Sequence, residues 1–131
     1  MKYTIEIPTI ETLETLNALA SHKVEAWLLE EVTKEMTTRA EYGYTDLTLD
    51  LEHCPYVLST EAMYGAQNTL REMGYMTTYR PRCKEFIVEW SITARSNLQQ
   101  LKDNNVAWKF PTREEIEEWE ARRNEILKKT L

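Results

Sequence analysis

The chain contains few of the residues that interrupt or crosslink a fold. Its 131 residues include three glycines, four prolines and two cysteines. So few glycines and prolines argue against long flexible linkers, and the length suits one domain, residues 1–131, that can bury a core without crosslinks. Cys54 and Cys83 form no CxxC pair, so we predict two free thiols rather than a zinc site or a redox motif.

Long apolar runs are also missing. No stretch approaches the roughly 20 apolar residues that a membrane-spanning helix needs, and the first sixteen residues lack the uninterrupted apolar stretch of a signal peptide. We therefore expect no membrane association and a cytoplasmic location. The formal net charge of −6 makes this an acidic protein, whose field repels nucleic acid unless basic residues gather on one face.

The N-terminal part predicts a strand followed by a long helical segment. Residues 3–7 alternate and include β-branched side chains, which is typical of a short strand. Residues 10–40 lack glycine and proline and place apolar residues at helical intervals. Ser21-His22 is a candidate break with Ser21 as an N-cap, so one bent helix and two consecutive helices both remain open. The apolar residues that trace one stripe along this segment are Leu13, Leu16, Ala20, Val24, Trp27, Leu28, Val32 and Met36.

Residues 45–52 alternate with a period of two, which predicts a strand with one apolar face. Its polar face indicates an antiparallel or mixed sheet with one wet side. In this strand, Leu47, Leu49 and Leu51 should point inward, and Asp46, Thr48, Asp50 and Glu52 outward.

A helix is predicted over residues 59–73, and Gly74 stands where a left-handed residue ends a helix.

Two further strands, at 75–79 and 85–91, are joined by a short proline-containing turn and predict a hairpin. Residues 92–111 are mostly polar, with one short helix around 97–102. Thr112 and Glu115 form a capping box that opens a C-terminal helix over 112–131. The order β-α-β-α-β-β-α predicts an α+β fold, with helices on one face of a small antiparallel or mixed sheet of three or four strands.

The chemistry-bearing side chains match no catalytic or metal-binding motif. Asp46 and Asp50 lie roughly 13 Å apart along their strand, too far to share an ion, so we predict no metal site. His53 lies beside Cys54, but adjacent positions do not supply the geometry of a nucleophilic pair. Without a nucleophile elbow, phosphate loop or zinc-protease motif, we predict no cofactor and no enzyme. A small hydrolase or nuclease that uses the carboxylates ranks third among the functions considered.

Positive charge concentrates at the tip of the predicted hairpin, in Arg80, Arg82 and Lys84. Such a tip can grip a phosphate backbone or an acidic protein surface. It can also be a hydrophilic turn that protects the hairpin from edge pairing. A nucleic-acid-associated protein that uses Arg80–Lys84 is the alternative function, although the acidic remainder disfavours this partner.

The C-terminal region combines large aromatic side chains with a narrow apolar stripe. Arg122 and Arg123 interrupt the stripe, which predicts that helix 112–131 is only lightly anchored to its own domain. Aromatic and arginine side chains dominate protein interfaces, but packing of the last helix on the core explains the aromatic residues equally well. The candidate partner-binding residues are Trp108, Phe110, Ile116, Trp119, Arg123, Ile126 and Leu127.

Four segments in the middle of the chain carry a resemblance to a known group of proteins: 39–43, 47–51, 70–75 and 86–90, about half the chain. They resemble small uncharacterised proteins of tailed bacteriophages, and the resemblance implies no activity and no catalytic residue. It implies a phage setting, in which compact acidic proteins bind host or virion proteins. The leading hypothesis is therefore a non-enzymatic protein-binding module that acts on a host protein or within an assembly, with a protein partner or a second copy.

Overall fold

The computed structural model describes residues 6–130, and within this range the chain forms four helices and one three-stranded sheet. This arrangement confirms the α+β fold. The strand predicted at 3–7 lies largely outside the described residues, and Glu6 and Ile7 at its end belong to no strand. The elements in order are α1 Ile10–Glu41, β1 Asp46–Asp50, α2 Thr60–Glu72, β2 Met76–Arg80, β3 Glu85–Glu89, α3 Ile92–Asp103 and α4 Arg113–Thr130.

The sheet is antiparallel in the order β1-β3-β2, so the last strand of the chain lies at its centre. Phe86 and Val88 of β3 are fully buried, and they pair with Leu49 and Leu47 of β1. The three leucines predicted to face inward, Leu47, Leu49 and Leu51, are buried, and Asp46, Thr48 and Asp50 are exposed. The period-two prediction of the inner and outer faces is therefore confirmed.

Helix α1 is one continuous helix of 32 residues, which settles the choice between one helix and two. Ser21 does not cap a second helix. Its hydroxyl lies 3.0 Å from the hydroxyl of Ser59, and Ser59 is itself the N-cap of α2, accepting from the backbone N–H of Ala62. A polar residue within α1 thus finds a partner on the next helix, and the helix continues through it.

Only the second half of α1 packs on the sheet. Val24, Leu28 and Val32 are buried, whereas Leu13 and Leu16 of the predicted stripe are about half exposed. A 32-residue helix is about 48 Å long, but a five-residue strand spans only about 17 Å. The first half of α1 therefore extends past the sheet, and the stripe is fully buried only at Val24, Leu28 and Val32.

Helices α1 and α2 approach closely at Gly65. A Cβ atom at this position would lie 2.7 Å from Oε2 of Glu25 on α1. The atoms that occupy the space beside Gly65 therefore belong to the carboxylate of Glu25, the end of a flexible side chain. Gly74 has φ +98° and ends α2 in the left-handed conformation, as its position after the helix predicted.

Helix α3 is longer than the short helix predicted at 97–102. It begins at Ile92, with Ser91 as the N-cap, whose hydroxyl accepts from the backbone N–H of Ala94. Ala94 and Leu98 are its buried residues. The predicted strand at 85–91 ends at Glu89, because the chain turns at Ser91 to begin this helix.

The two faces of β1 predict very different mutational costs. Leu49→Ala removes a buried side chain and should lower the free energy of unfolding by about 2–5 kcal/mol. Thr48→Ala, on the wet face, should change it by less than about 0.5 kcal/mol. Urea melts measure both variants, and equal costs would contradict the register of β1.

Candidate functional site

The segment between α3 and α4 is fastened to α2 partly through the side chain of Asn68. Asn68 Nδ2 donates to the carbonyl of Phe110 at 2.9 Å, and the Phe110 N–H donates back to Asn68 Oδ1 at 2.7 Å. The Phe110 ring stacks on Tyr64 of α2, with 4.8 Å between centroids and 12° between planes. Both backbone groups of Phe110 are thus satisfied, and its ring is held on the body of the domain.

Arg71 ties the same segment to β2. Its Nη1 donates to the carbonyl of Trp108 at 2.9 Å, while Nε and Nη2 donate to the hydroxyl and the carbonyl of Thr77 at 3.0 and 2.8 Å. The guanidinium also lies 4.8 Å from the Phe110 ring centroid. Burial lowers the pKa of Arg71 from its ordinary value, and all three of its nitrogens already have acceptors. Arg71 therefore positions the segment.

A cavity of about 570 Å³ lies between α2 and β2, next to this cluster. Its size falls in the range of small-molecule sites. Its buried polar groups, however, bind one another, because the Thr77 hydroxyl donates to Gln67 Oε1 and Gln67 Nε2 donates to the Met63 carbonyl. The rest of the lining includes three aromatic side chains, Tyr64, Phe110 and Tyr79, and burial raises the pKa of Tyr79.

The structure divides the candidate partner-binding residues into two groups. Trp108 and Phe110 are half-buried, and the ammonium groups of Lys102 and Lys109 lie 4.5 and 5.1 Å from the Trp108 ring centroid. Ile116 is also half-buried. The second group is exposed on α4 and comprises Trp119, Arg123, Ile126 and Leu127.

Helix α4 contributes no buried residue to the core among its described side chains, 113–129. Its first residue, Arg113, lies 4.0 Å from Glu61 on α2. Trp119 is 59% exposed and Leu127 54%. These are large apolar surfaces for side chains in water, and they lie on a helix that the body of the domain holds near one end.

Sequence reasoning missed a second exposed apolar surface, the overhanging first half of α1. It carries Ile10, Leu13, Leu16 and Leu19, all between 46% and 76% exposed. Their helical spacing resembles a core stripe, so spacing alone could not reveal their exposure. The available signal was length, because a helix of this size cannot be covered by a short strand.

A groove of about 730 Å³ connects this part of α1 to the start of α4. Asn17 and Ser21 line it from α1, Tyr56 from the loop before α2, and Arg113 from α4. The beginning of the C-terminal helix therefore borders the same surface depression as the overhanging part of α1.

The basic tip is exposed, but acidic residues lie at its base. Arg80, Arg82 and Lys84 all face solvent. Glu85 Oε2 lies 3.9 Å from Arg80, and Asp50 pairs with Glu85 across the sheet. Arg80 therefore lies beside a carboxylate, which weakens the field that would attract a phosphate backbone.

The carboxylates on the outward face of the sheet either pair with an arginine side chain or lie far apart along the strand. Glu89 lies opposite Asp46, and Arg39 binds Asp46 through its carboxylate at 3.2 Å and its carbonyl at 3.0 Å. Within residues 6–130, no group of three or more His, Cys, Asp or Glu side chains is placed to hold a metal ion. Cys54 and Cys83 are free thiols, as predicted.

No protein-family model, curated protein or solved structure matches this chain. The site must therefore be interpreted from its own residues. Over residues 6–130, none of the helices combines the length and the apolar composition that crossing a membrane requires.

The Asn68 contact predicts a measurable cost. Asn68→Ala leaves the N–H and carbonyl of Phe110 without their partner and should lower the free energy of unfolding by about 1–3 kcal/mol. Asn97→Ala, an exposed asparagine on α3, is the matched control and should change it by less than about 0.5 kcal/mol. Urea melts followed by tryptophan fluorescence test the pair, and an equally small effect of both would show that this contact does not hold the segment.

We predict that removing the positive charges of the basic tip does not change binding to nucleic acid. Replacing Arg80, Arg82 and Lys84 together by glutamine should leave retention on DNA or RNA columns unchanged, because acidic neighbours already weaken the tip. Retention is compared with the parent chain across a salt series. A large loss of affinity with a shallower salt slope would instead favour the nucleic-acid alternative.

Proposed function

We propose that the protein is a non-enzymatic protein-binding module that presents helix α4 to a protein partner. The supporting observation is the exposure of Trp119 and Leu127 on a helix without a buried core residue among its described side chains. Burying such side chains fully is worth about 1.5–3 kcal/mol each. Tryptophan and arginine are also the residue types that most often dominate interface energies, and Trp119 and Arg123 lie one turn apart.

Helix α4 carries local contacts that support it without help from the core. The Thr112 hydroxyl accepts from the backbone N–H of Glu115 at 3.3 Å and so caps the first turn. Arg113–Glu117 at 3.1 Å and Glu118–Arg122 at 2.6 Å are ion pairs one turn apart. A partner would therefore meet a helix that is already formed, which lowers the entropy cost of binding.

The cavity beside α2 supports a binding role more than an enzymatic one. Arg71, Gln67 and Thr77 satisfy one another or the backbone, so they are not free to act on a substrate. We place the module in the cytoplasm, and the phage resemblance favours a host protein or an assembly component as its partner.

Removal of α4 tests the proposal. A chain that ends at Pro111 retains α1, α2 and the sheet, whose residues make the core cluster, so it should stay folded with a similar urea midpoint. The partner is first captured with the full chain, and its binding is confirmed with purified protein. The truncated chain should no longer bind it. Circular dichroism and pull-down measure the two properties, and outright unfolding would place α4 in the core.

Trp119→Ala in the full chain separates the binding surface from the helix as a whole. It should abolish or greatly weaken capture without changing stability, because Trp119 is exposed. Tyr42→Ala changes another exposed aromatic, at the end of α1; it is the control and should bind as the parent does. Undiminished capture by Trp119→Ala would contradict the assignment of this surface.

A further inference from the structure

Charge is divided sharply between the two halves of α4. Residues 113–121 contain five glutamates and one arginine, a net charge of −4, and residues 122–130 contain two arginines, two lysines and one glutamate, a net charge of +3. A partner helix that fits this surface must therefore carry the opposite order of charge. An antiparallel copy of α4 does so, whereas a parallel copy would place like charges together.

Three exposed residues of α4 and the half-buried Ile116 also follow the spacing of a helix-pairing seam. Ile116, Trp119, Arg123 and Ile126 are separated by three, four and three residues, which is the a/d pattern of a two-helix coiled coil. Trp119 lies in the middle of this seam and is mostly exposed. Leu127 flanks the seam and adds apolar surface beside it.

We infer that α4 pairs antiparallel with α4 of a second copy of this chain about a two-fold axis at the level of residue 121. This inference rests on the proposed function and names the partner. In a two-fold contact the same surface serves both copies. Antiparallel a/d pairing then sets Ile116 against Ile126 of the second copy, and Trp119 against its Arg123.

The pairing gives Arg123 a role. A guanidinium stacked on an indole face gains a cation–π attraction, so the arginine that interrupts the apolar stripe becomes part of the contact. Glu115 faces Lys129 of the second copy at both ends of the pair. Near the axis Arg122 approaches its own copy, and its ion pair with Glu118 at 2.6 Å offsets that repulsion.

Sedimentation equilibrium of the full chain from about 1 µM to about 1 mM tests the inference. The parent chain should change from monomer to dimer across this range, because two 18-residue helices form a small interface. Trp119→Ala should weaken dimerisation at least about tenfold, and Tyr42→Ala should leave it unchanged. A parent chain that stays monomeric, or a Trp119→Ala variant that dimerises equally well, would overturn the inference.

Charge exchange tests the orientation. Glu115→Lys and Lys129→Glu should each weaken dimerisation roughly tenfold, since each sets like charges at both ends of the pair. The double variant should recover to within about threefold of the parent. Helix stability cannot explain that recovery, because both changes oppose the helix dipole. Glu114→Lys makes the same charge change as Glu115→Lys on the side away from the seam and should have little effect. Failure of the double variant to recover excludes the antiparallel arrangement.

The same chains separate this inference from the proposed function. If the parent is monomeric but truncation after Pro111 abolishes capture of a different protein, self-association is wrong and the binding module stands. If truncation changes neither self-association nor capture, both fail.

Discussion

The area of one small sheet face limits what the rest of the chain can bury. Three strands of five residues each offer a covered face about 17 Å long, and the second half of α1 together with α2 fills it. Leu28, Phe86 and Val88 lie at the centre of this packing with no exposed surface. Of the remaining helices, α3 still buries Ala94 and Leu98, whereas α4 buries no residue among its described side chains and must be held in another way.

Polar contacts take over where that face ends. Asn68 and Arg71 hold the segment before α4 through three hydrogen bonds to the backbone of Phe110 and Trp108, in addition to the Phe110 ring stacked on Tyr64. These contacts have fixed directions, so they set where α4 leaves the domain. They supply no apolar surface for α4 itself, which explains how its base can be well positioned while Trp119 remains exposed.

Much of the fold can be predicted from local sequence patterns. The predictions fail where contacts between residues far apart in the sequence determine the structure. The alternation of 45–52 predicted the register of β1, because the period of a strand is a local property. The Ser21 hydroxyl finds its partner on Ser59, 38 residues away, and Phe110 is held by Asn68, 42 residues away. No spacing rule reveals such pairs. The candidate site was therefore predicted in part: the exposed α4 residues could be proposed from their narrow stripe, but the separation of Trp108 and Phe110 from them could not.

The order of charge along α4 has two physical consequences that must be kept apart. Glutamates in the first turns and lysines in the last stabilise any isolated helix through its dipole, so this order alone does not indicate a partner. The dipole, however, acts only on the terminal turns and requires no tryptophan in the middle of the helix. Trp119 and Arg123 lie in the middle of α4, at seam positions and exposed to solvent. The stability of a single helix does not require either residue. Because the acidic-to-basic order is also what an antiparallel copy needs, the seam residues convert a stabilising pattern into a surface that can recognise itself.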